Sequence, residues 1–298
     1  MEKSYTHNPV LCKEAIDFLK PAPGQIIVDA TIGGAGHSEQ ILKRITPGGM
    51  LIGIDRDEEA LRLASERLRP FEGSFKLINK NFSHLGEILK DAGVSKADGI
   101  IFDLGVSSMQ MDAWQRGFSI KNNGPLDMRM DRSQRITAKD LVNNLSEAEL
   151  IETIRDLGEE RFHKRIARRI VEARKKEDIS TTTELKEIIL RSFPYISNKY
   201  RIHPATRVFQ AFRIKVNDEL GSISEALDQL PDALEKGARA CVISFHSLED
   251  RITKNIFKQF KANGHFIILT KKPVMADQEE LITNPRARSA KLRAAERL

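Results

Sequence analysis

Four short apolar runs, alternating with amphipathic stretches, fill the first third of the chain and restrict it to a parallel sheet with crossover helices. The runs are 26–30 (Ile-Ile-Val-Asp-Ala), 50–55 (Met-Leu-Ile-Gly-Ile-Asp), 75–78 and 97–103. Between them, residues 38–45 read as a helix, and 58–68 place Ala60, Leu61, Ala64 and Leu68 at helical spacing. Strand and helix in this order build βαβ units. Past Gly105 the rhythm stops. Residues 106–135 show no clean period, and 137–192 read as almost wholly helical, with a capping box at Ser146–Glu149 and Phe162, Ile166 and Ile170 on one face. A helix over 183–190 ends at Ser192-Phe-Pro194, another runs over 217–230, and a further helix is expected after Pro231. Strands resume at 240–245 and 266–270. The fold class expected is therefore α/β, mostly parallel, interrupted by an inserted helical domain. Its parts are residues 1–112, the insertion 113–212, and 213–298 with a basic C-terminal tail.

Composition narrows the function. The 298 residues carry 48 Lys and Arg against 42 Asp and Glu, a net charge of +6. Residues 151–215 hold 16 basic and 9 acidic side chains, so this stretch supplies the whole excess and suits a polyanion. Cys12 and Cys241 are the only cysteines, which excludes a multi-cysteine zinc site and fits a reducing compartment. No apolar run approaches the 18 or so residues of a membrane span. With no signal pattern at residues 1–7, a cytoplasmic protein without a membrane partner is the expectation.

The loop between the first strand and its helix, Asp29-Ala-Thr-Ile-Gly-Gly-Ala-Gly-His-Ser38, has the look of a nucleotide site. Glycines allow close backbone approach, and the helix N-terminus adds partial positive charge. The chain contains no Gly-Lys, so a P-loop is excluded. Gly34-x-Gly36 is followed by Glu39, so the dinucleotide fingerprint fails as well. S-adenosylmethionine has no pyrophosphate and needs a close turn beside strand one, with a carboxylate for its ribose at the end of strand two. Asp55, nineteen residues after Gly36, is placed for that contact. A tight turn with Asp55 as a helix cap is the plainer alternative.

Longer blocks carry a specific resemblance. They include His7-Asn-Pro-Val-Leu11, the loop itself, Gly53-Ile-Asp-Arg-Asp57, Asp103-Leu-Gly-Val-Ser-Ser-Met-Gln110 and Gly124-Pro-Leu-Asp-Met-Arg-Met-Asp131. Others are His203-Pro-Ala-Thr-Arg207, Ser244-Phe-His-Ser-Leu-Glu-Asp-Arg251 and Asn284-Pro-Arg-Ala-Arg-Ser289. In this order they resemble the MraW/RsmH family, S-adenosylmethionine-dependent cytosine-N4 methyltransferases of bacterial 16S rRNA. The resemblance implies a class I, Rossmann-like methyltransferase fold with a substrate-recognition insertion. It also implies cofactor contacts at Ala35, Gly36, His37 and Asp55, Phe82 beside the adenine, and Asp103 and Gln110 near the methionine end. Ala35 departs from the Gly-Gly frequent in the family, which limits it to a backbone contact. The implied partner is 16S rRNA, within the small ribosomal subunit and at the decoding region, with a homodimer among the assemblies to consider.

Methyl transfer is an in-line displacement, so alignment is the enzyme's main task. Cytosine C5 chemistry needs a thiolate. Cys12 lies in the N-terminal segment and Cys241 within an apolar strand, which points to a nitrogen or oxygen acceptor instead. Asp103, at the end of the fourth strand, is the candidate for orienting an exocyclic amine or holding the cofactor's ammonium. The motif that many amino-methyltransferases place here has prolines and an aromatic residue; Asp103-Leu-Gly-Val106 has neither. His246 is the second catalytic candidate, against a structural hydrogen-bonding role. No metal is expected, since His246, Glu249 and Asp250 lack a completing His or Cys cluster. Arg161, Lys164, Arg165, Arg168, Arg169, Arg174, Lys175 and Lys176 form a candidate phosphate-facing stripe, with Arg286, Arg288, Lys291, Arg293 and Arg297 as a second basic stretch. Trp114 and Phe118 are candidates for stacking on a splayed base, or for packing. The competing functions are a methyltransferase of DNA or a small amine, and a non-catalytic RNA-binding ribosome assembly factor.

Overall fold

The computed structural model describes residues 9–193 and 202–298. His7, Asn8 and Pro194 of the sequence blocks above lie outside them. In chain order the helices are α1 (Cys12–Leu19), α2 (Gly36–Ile45), α3 (Glu58–Leu68), α4 (Leu85–Asp91), α5 (Ser108–Asp112), α6 (Ala138–Asn144) and α7 (Glu147–Asp156). They continue as α8 (His163–Arg174), α9 (Thr182–Arg191), α10 (Thr206–Asn217), α11 (Glu219–Asp228), α12 (Leu230–Ala233), α13 (Ser247–Ala262) and α14 (Gln278–Thr283). The strands are β1 (Ile26–Asp29), β2 (Met50–Asp55), β3 (Phe75–Asn79), β4 (Ala97–Asp103), β5 (Leu234–Ser244), β6 (Phe266–Ile268) and β7 (Lys291–Arg297).

The chain forms two compact units, residues 1–105 with 220–298, and residues 106–219. A division after residue 212 would cut α10, which buries Val208, Phe209, Ala211, Phe212 and Ile214 as one helix. Val106 packs with the core of the second unit, which includes Phe118, Ile154, Ile166 and Phe212.

The first unit holds a seven-stranded sheet of order β3-β2-β1-β4-β5-β7-β6. The pairs from β3 to β5 are parallel, and β7 runs antiparallel to both β5 and β6. Strands buried on both faces explain the continuous apolar runs: Ile27, Leu51 and Ile101 pack on one side, Val28, Ile52 and Ile100 on the other. The strand order reverses between β1 and β4. In open α/β sheets, ligands bind in the crevice that such a reversal opens at the carboxyl ends of the strands.

Two expectations fail here. The helix expected after Pro231 is the single turn α12, and β5 begins at Leu234, directly after it. The stretch 235–237 is exposed and Gly237 takes φ 82°, so no apolar face exists to support a longer helix. The C-terminal basic stretch is largely strand β7. Arg293 is buried and pairs with Asp250 at 2.6 Å, and Arg297 donates to the carbonyls of Pro231 and His265. These two cations are engaged inside the fold, whereas Arg288 is exposed and Arg286 and Lys291 are half-buried.

In the second unit, the aperiodic stretch 106–135 is held by side chains rather than by regular structure. The buried Arg116 guanidinium donates to the carbonyls of Arg129 and Met130 at 3.1 and 3.0 Å. Asn217 accepts from Met130 N–H and donates to Met128 O, both at 2.7 Å. Phe118 is buried in this unit's core, whereas Trp114 is 51% exposed.

Candidate cofactor site at the carboxyl ends of the strands

Asp29 ends β1, and its oxygens accept from Ser38 Oγ at 2.6 Å and Thr31 N–H at 3.2 Å. Next, the chain turns through Gly33 (φ 47°) and Ala35 (φ 57°), left-handed positions that glycine tolerates and alanine adopts at some cost. Ala35 N–H donates to Ile32 O at 2.7 Å and its carbonyl accepts from Glu39 N–H at 3.0 Å, so the residue closes the turn and opens α2. A Cβ on Gly36 would come within 3.0–3.2 Å of the Pro9 ring, so this glycine is where the N-terminal segment seats on the loop.

Asp55 ends β2, one strand over. It accepts from Gly33 N–H at 3.0 Å and Asp57 N–H at 2.9 Å, which ties the loop to the second strand. Asp57, not Asp55, caps α3, so the cap reading of Asp55 fails. Asn79 at the end of β3 donates to Asp55 O at 3.0 Å, and Phe82 follows at 5.8 Å edge-to-face from Phe102. At the end of β4, Asp103 N–H donates to Thr31 Oγ1 at 2.6 Å. Asp103 Oδ2 lies 3.6 Å from His37 Nδ1, while Oδ1 is buried without a hydrogen-bond partner. The Asp29 loop, Asp55, Phe82 and Asp103 thus gather at one edge of one sheet. Gln110 belongs to the second unit, where its amide oxygen accepts from Ser107 N–H as a capping box of α5.

This edge is electrostatically unusual. Burial pushes the Asp29 carboxyl up to about 6, against the hydrogen bonds that pull it down. Burial also lifts Asp55 to about 6. Asp103 is held well above the ordinary carboxylate range by burial first, then by the facing Asp29 and Glu249. Carboxylates crowded this way favour a cation in their midst. S-adenosylmethionine brings two, an ammonium and a sulfonium, and a ribose diol for Asp55; the unpartnered Asp103 Oδ1 offers an acceptor to the ammonium. The residues fit the cofactor.

His246 is the N-cap of α13. Its Nδ1 accepts from Glu249 N–H at 3.4 Å and its Nε2 lies 3.2 Å from Glu249 Oε1, so both ring nitrogens turn toward the helix it starts. Asp250 is engaged by Arg293 and Lys291 and does not join His246 and Glu249 as a ligand set. Glu249, which the sequence singles out only as a weak metal-ligand candidate, is fully buried and accepts from Phe245 N–H at 2.7 Å. Its signal was the capping spacing of a glutamate three residues after the cap that follows a strand.

On α8 in the second unit, Ile166, Ala167 and Ile170 are buried, and Arg161, Lys164, Arg165, Arg168, Arg169, Lys175 and Lys176 are exposed along or beside it. Glu172 is the acid that pairs there, with Arg168 and Arg169. Arg174 instead turns inward to the Val142 carbonyl at 2.7 Å.

The pattern of the MraW methylase family matches residues 4–298. The chain belongs to the MraW methylase family. A relative from Persephonella marina, named ribosomal RNA small subunit methyltransferase H, is 50% identical over 292 residues, 98% of this chain and 99% of its own. Proteins of the same name from Geobacter sulfurreducens and Trichlorobacter lovleyi are 48% and 47% identical, each over 99% of this chain and at least 99% of theirs. In this family the methyl donor is S-adenosylmethionine, and the sheet is seven-stranded and mostly parallel.

Proposed function

We propose that this MraW-family chain transfers a methyl group from S-adenosylmethionine to the exocyclic N4 of a cytidine in the decoding region of 16S rRNA. End-to-end identity of about half with proteins named for small-subunit rRNA methylation supports an rRNA methyltransferase. The choice of N4 and of the decoding region follows what the resemblance of the sequence blocks implies, and the buried, unpartnered Asp103 Oδ1 at the strand-order reversal supports an exocyclic amine as acceptor.

When bound, S-adenosylmethionine supplies an electrophilic methyl on a sulfonium. The backbone of Ala35, Gly36 and His37 would approach its amino acid end, Asp55 its ribose, and Phe82 its adenine. An exocyclic cytosine amine is a weak nucleophile because its lone pair is delocalised into the ring. An acceptor that holds an amine hydrogen turns the lone pair out of that conjugation, and Asp103 is the acceptor in place, its Oδ1 having one lone pair for the amine beside the one offered to the ammonium. C5 chemistry lacks its thiolate: burial pushes Cys241 up to about 12 and Cys12 up to about 11. In this reading His246 positions Glu249 rather than touching substrate. The exposed cations of α8 supply phosphate contacts, which carry most of the affinity for RNA. The base must leave its stack to reach the site.

The test is transfer of labelled methyl groups to purified small ribosomal subunits and to naked 16S RNA, with the modified nucleoside identified by mass spectrometry. N4-methylcytidine is the expected product. Transfer to DNA or a small amine alone, or no transfer despite cofactor binding, overturns the substrate assignment.

A further inference from the structure

His37 is almost wholly buried, at 4% exposure, and both of its ring nitrogens face protein groups. Nε2 lies 3.0 Å from the Val10 carbonyl. A carbonyl only accepts, so Nε2 carries the hydrogen, and Nδ1 is the atom presented to Asp103 Oδ2. The Val10 carbonyl thus fixes which ring nitrogen faces Asp103.

What holds Val10 is not local. Leu11 is the N-cap of α1 and takes φ 50°, ψ 35°, a left-handed conformation disfavoured for a branched side chain. Its N–H cannot enter α1, and it donates instead to Glu280 Oε1 at 2.8 Å, across 269 residues of sequence. Glu280 sits on α14, whose N-cap Asp277 accepts from the Glu280 N–H at 2.8 Å. The Pro9 ring rests against the Cβ-less face of Gly36. Pro9, Val10 and Leu11 thus form a short strap, pinned by Glu280 at one end and applied to the cofactor loop along the other.

We propose that Glu280 is a positioning residue for cofactor binding, holding the Leu11–Val10 turn so that His37 keeps Nδ1 toward Asp103. The inference rests on the placement of S-adenosylmethionine at Asp103 and the loop. Glu280 itself touches neither. Its task is to accept one backbone hydrogen bond, which a neutral amide oxygen also performs.

The experiment compares Glu280→Ala, Glu280→Asp and Glu280→Gln with the unsubstituted full-length chain. Equilibrium binding of S-adenosylmethionine is measured by calorimetry, and ring ¹⁵N shifts of labelled histidine are recorded without ligand. Loss of one hydrogen bond that orients the ring should weaken binding by about three- to tenfold in the Ala and Asp variants. The His37 ring nitrogen shifts should then move away from those of the unsubstituted chain. Glu280→Gln should return both readouts to the unsubstituted values. In a His37→Ala background, Glu280→Ala should weaken binding no further, because the coupled pair is already broken. Equal weakening in both backgrounds, or unchanged ring shifts in Glu280→Ala and Glu280→Asp, overturns the proposal and leaves Glu280 a general stabiliser. Full binding by His37→Ala alone shows that the ring is not what cofactor binding needs and overturns this proposal, while failure of the unsubstituted chain to bind S-adenosylmethionine overturns the placement it rests on.

Discussion

Thr31 and Asp103 meet across the strand-order reversal: the Asp103 N–H donates to Thr31 Oγ1 at 2.6 Å. A side-chain oxygen from the β1 loop thereby fixes the backbone that carries the candidate catalytic carboxylate. Replacing Thr31 with Val keeps the shape and removes the acceptor. An unsatisfied buried N–H costs about 1–3 kcal/mol, so the urea midpoint should fall at unchanged m, and cofactor binding should weaken with it. Thr31→Ser should restore both.

Acidity gives a second prediction. A carboxyl whose pKa rises on folding favours the folded state while protonated. The stability contributed by Asp29 and Asp55 is therefore fully present below about 4, their unfolded value, and is lost as pH rises through about 6. Between pH 4 and 7 the ligand-free protein should lose stability relative to Asp29→Asn by up to about 3 kcal/mol. Affinity for the cationic cofactor should run the other way and tighten over the same window, since the carboxylates bind it when ionised. Urea unfolding and calorimetric titration at several pH values check the two slopes. A flat difference between the chain and Asp29→Asn contradicts the assignment.

The basic face of α8 is testable by salt. Converting Lys164, Arg165, Arg168 and Arg169 to Gln should weaken binding to 16S RNA. The slope of log affinity against log salt should flatten by about 0.7–0.9 for each phosphate no longer neutralised. Cofactor affinity should not move. An unchanged slope would assign these side chains to ordinary solvation.

Asn217 is the clasp of the aperiodic stretch, with bonds to Met128 O and Met130 N–H. Asn217→Leu leaves both groups buried and unpaired, at a cost of about 2–4 kcal/mol. Trp114, the one tryptophan of the chain, lies in the same unit and reports its unfolding by fluorescence.

The parallel strands were legible because burial on both faces turns them into apolar runs, and the loop because its glycine-rich turn is tied to the aspartate that ends the second strand. Strand β7 was not. Lys-Leu-Arg-Ala-Ala-Glu-Arg has helical composition, and it becomes a strand because β5 and β6 flank it and Asp250 neutralises Arg293. The 116–131 stretch escaped for another reason: its order comes from Arg116 and Asn217, and side-chain bonds to distant carbonyls leave no period to detect. For Phe118 the sequence left stacking and packing both open, because burial is invisible in such a segment, and the structure packs it. Asp103 could be nominated from its place at a strand end, whereas the strap from Glu280 to His37 depends on a contact between the two ends of the sequence.

The pairing of β4 with β5, Asp103 beside Ile243, joins segments separated in sequence by the entire second unit. Bringing those ends together from an open coil is entropically costly, and the cost grows with the length of the loop to be closed. Residues 106–219 are contiguous and dominated by neighbouring helices, the kind of topology that forms rapidly. If they collapse first, the loop that remains to be closed is effectively shorter. Closure of the cofactor edge is thereby coupled to the compactness of the insertion, independently of any substrate: the more collapsed residues 106–219 are, the shorter the loop left to close.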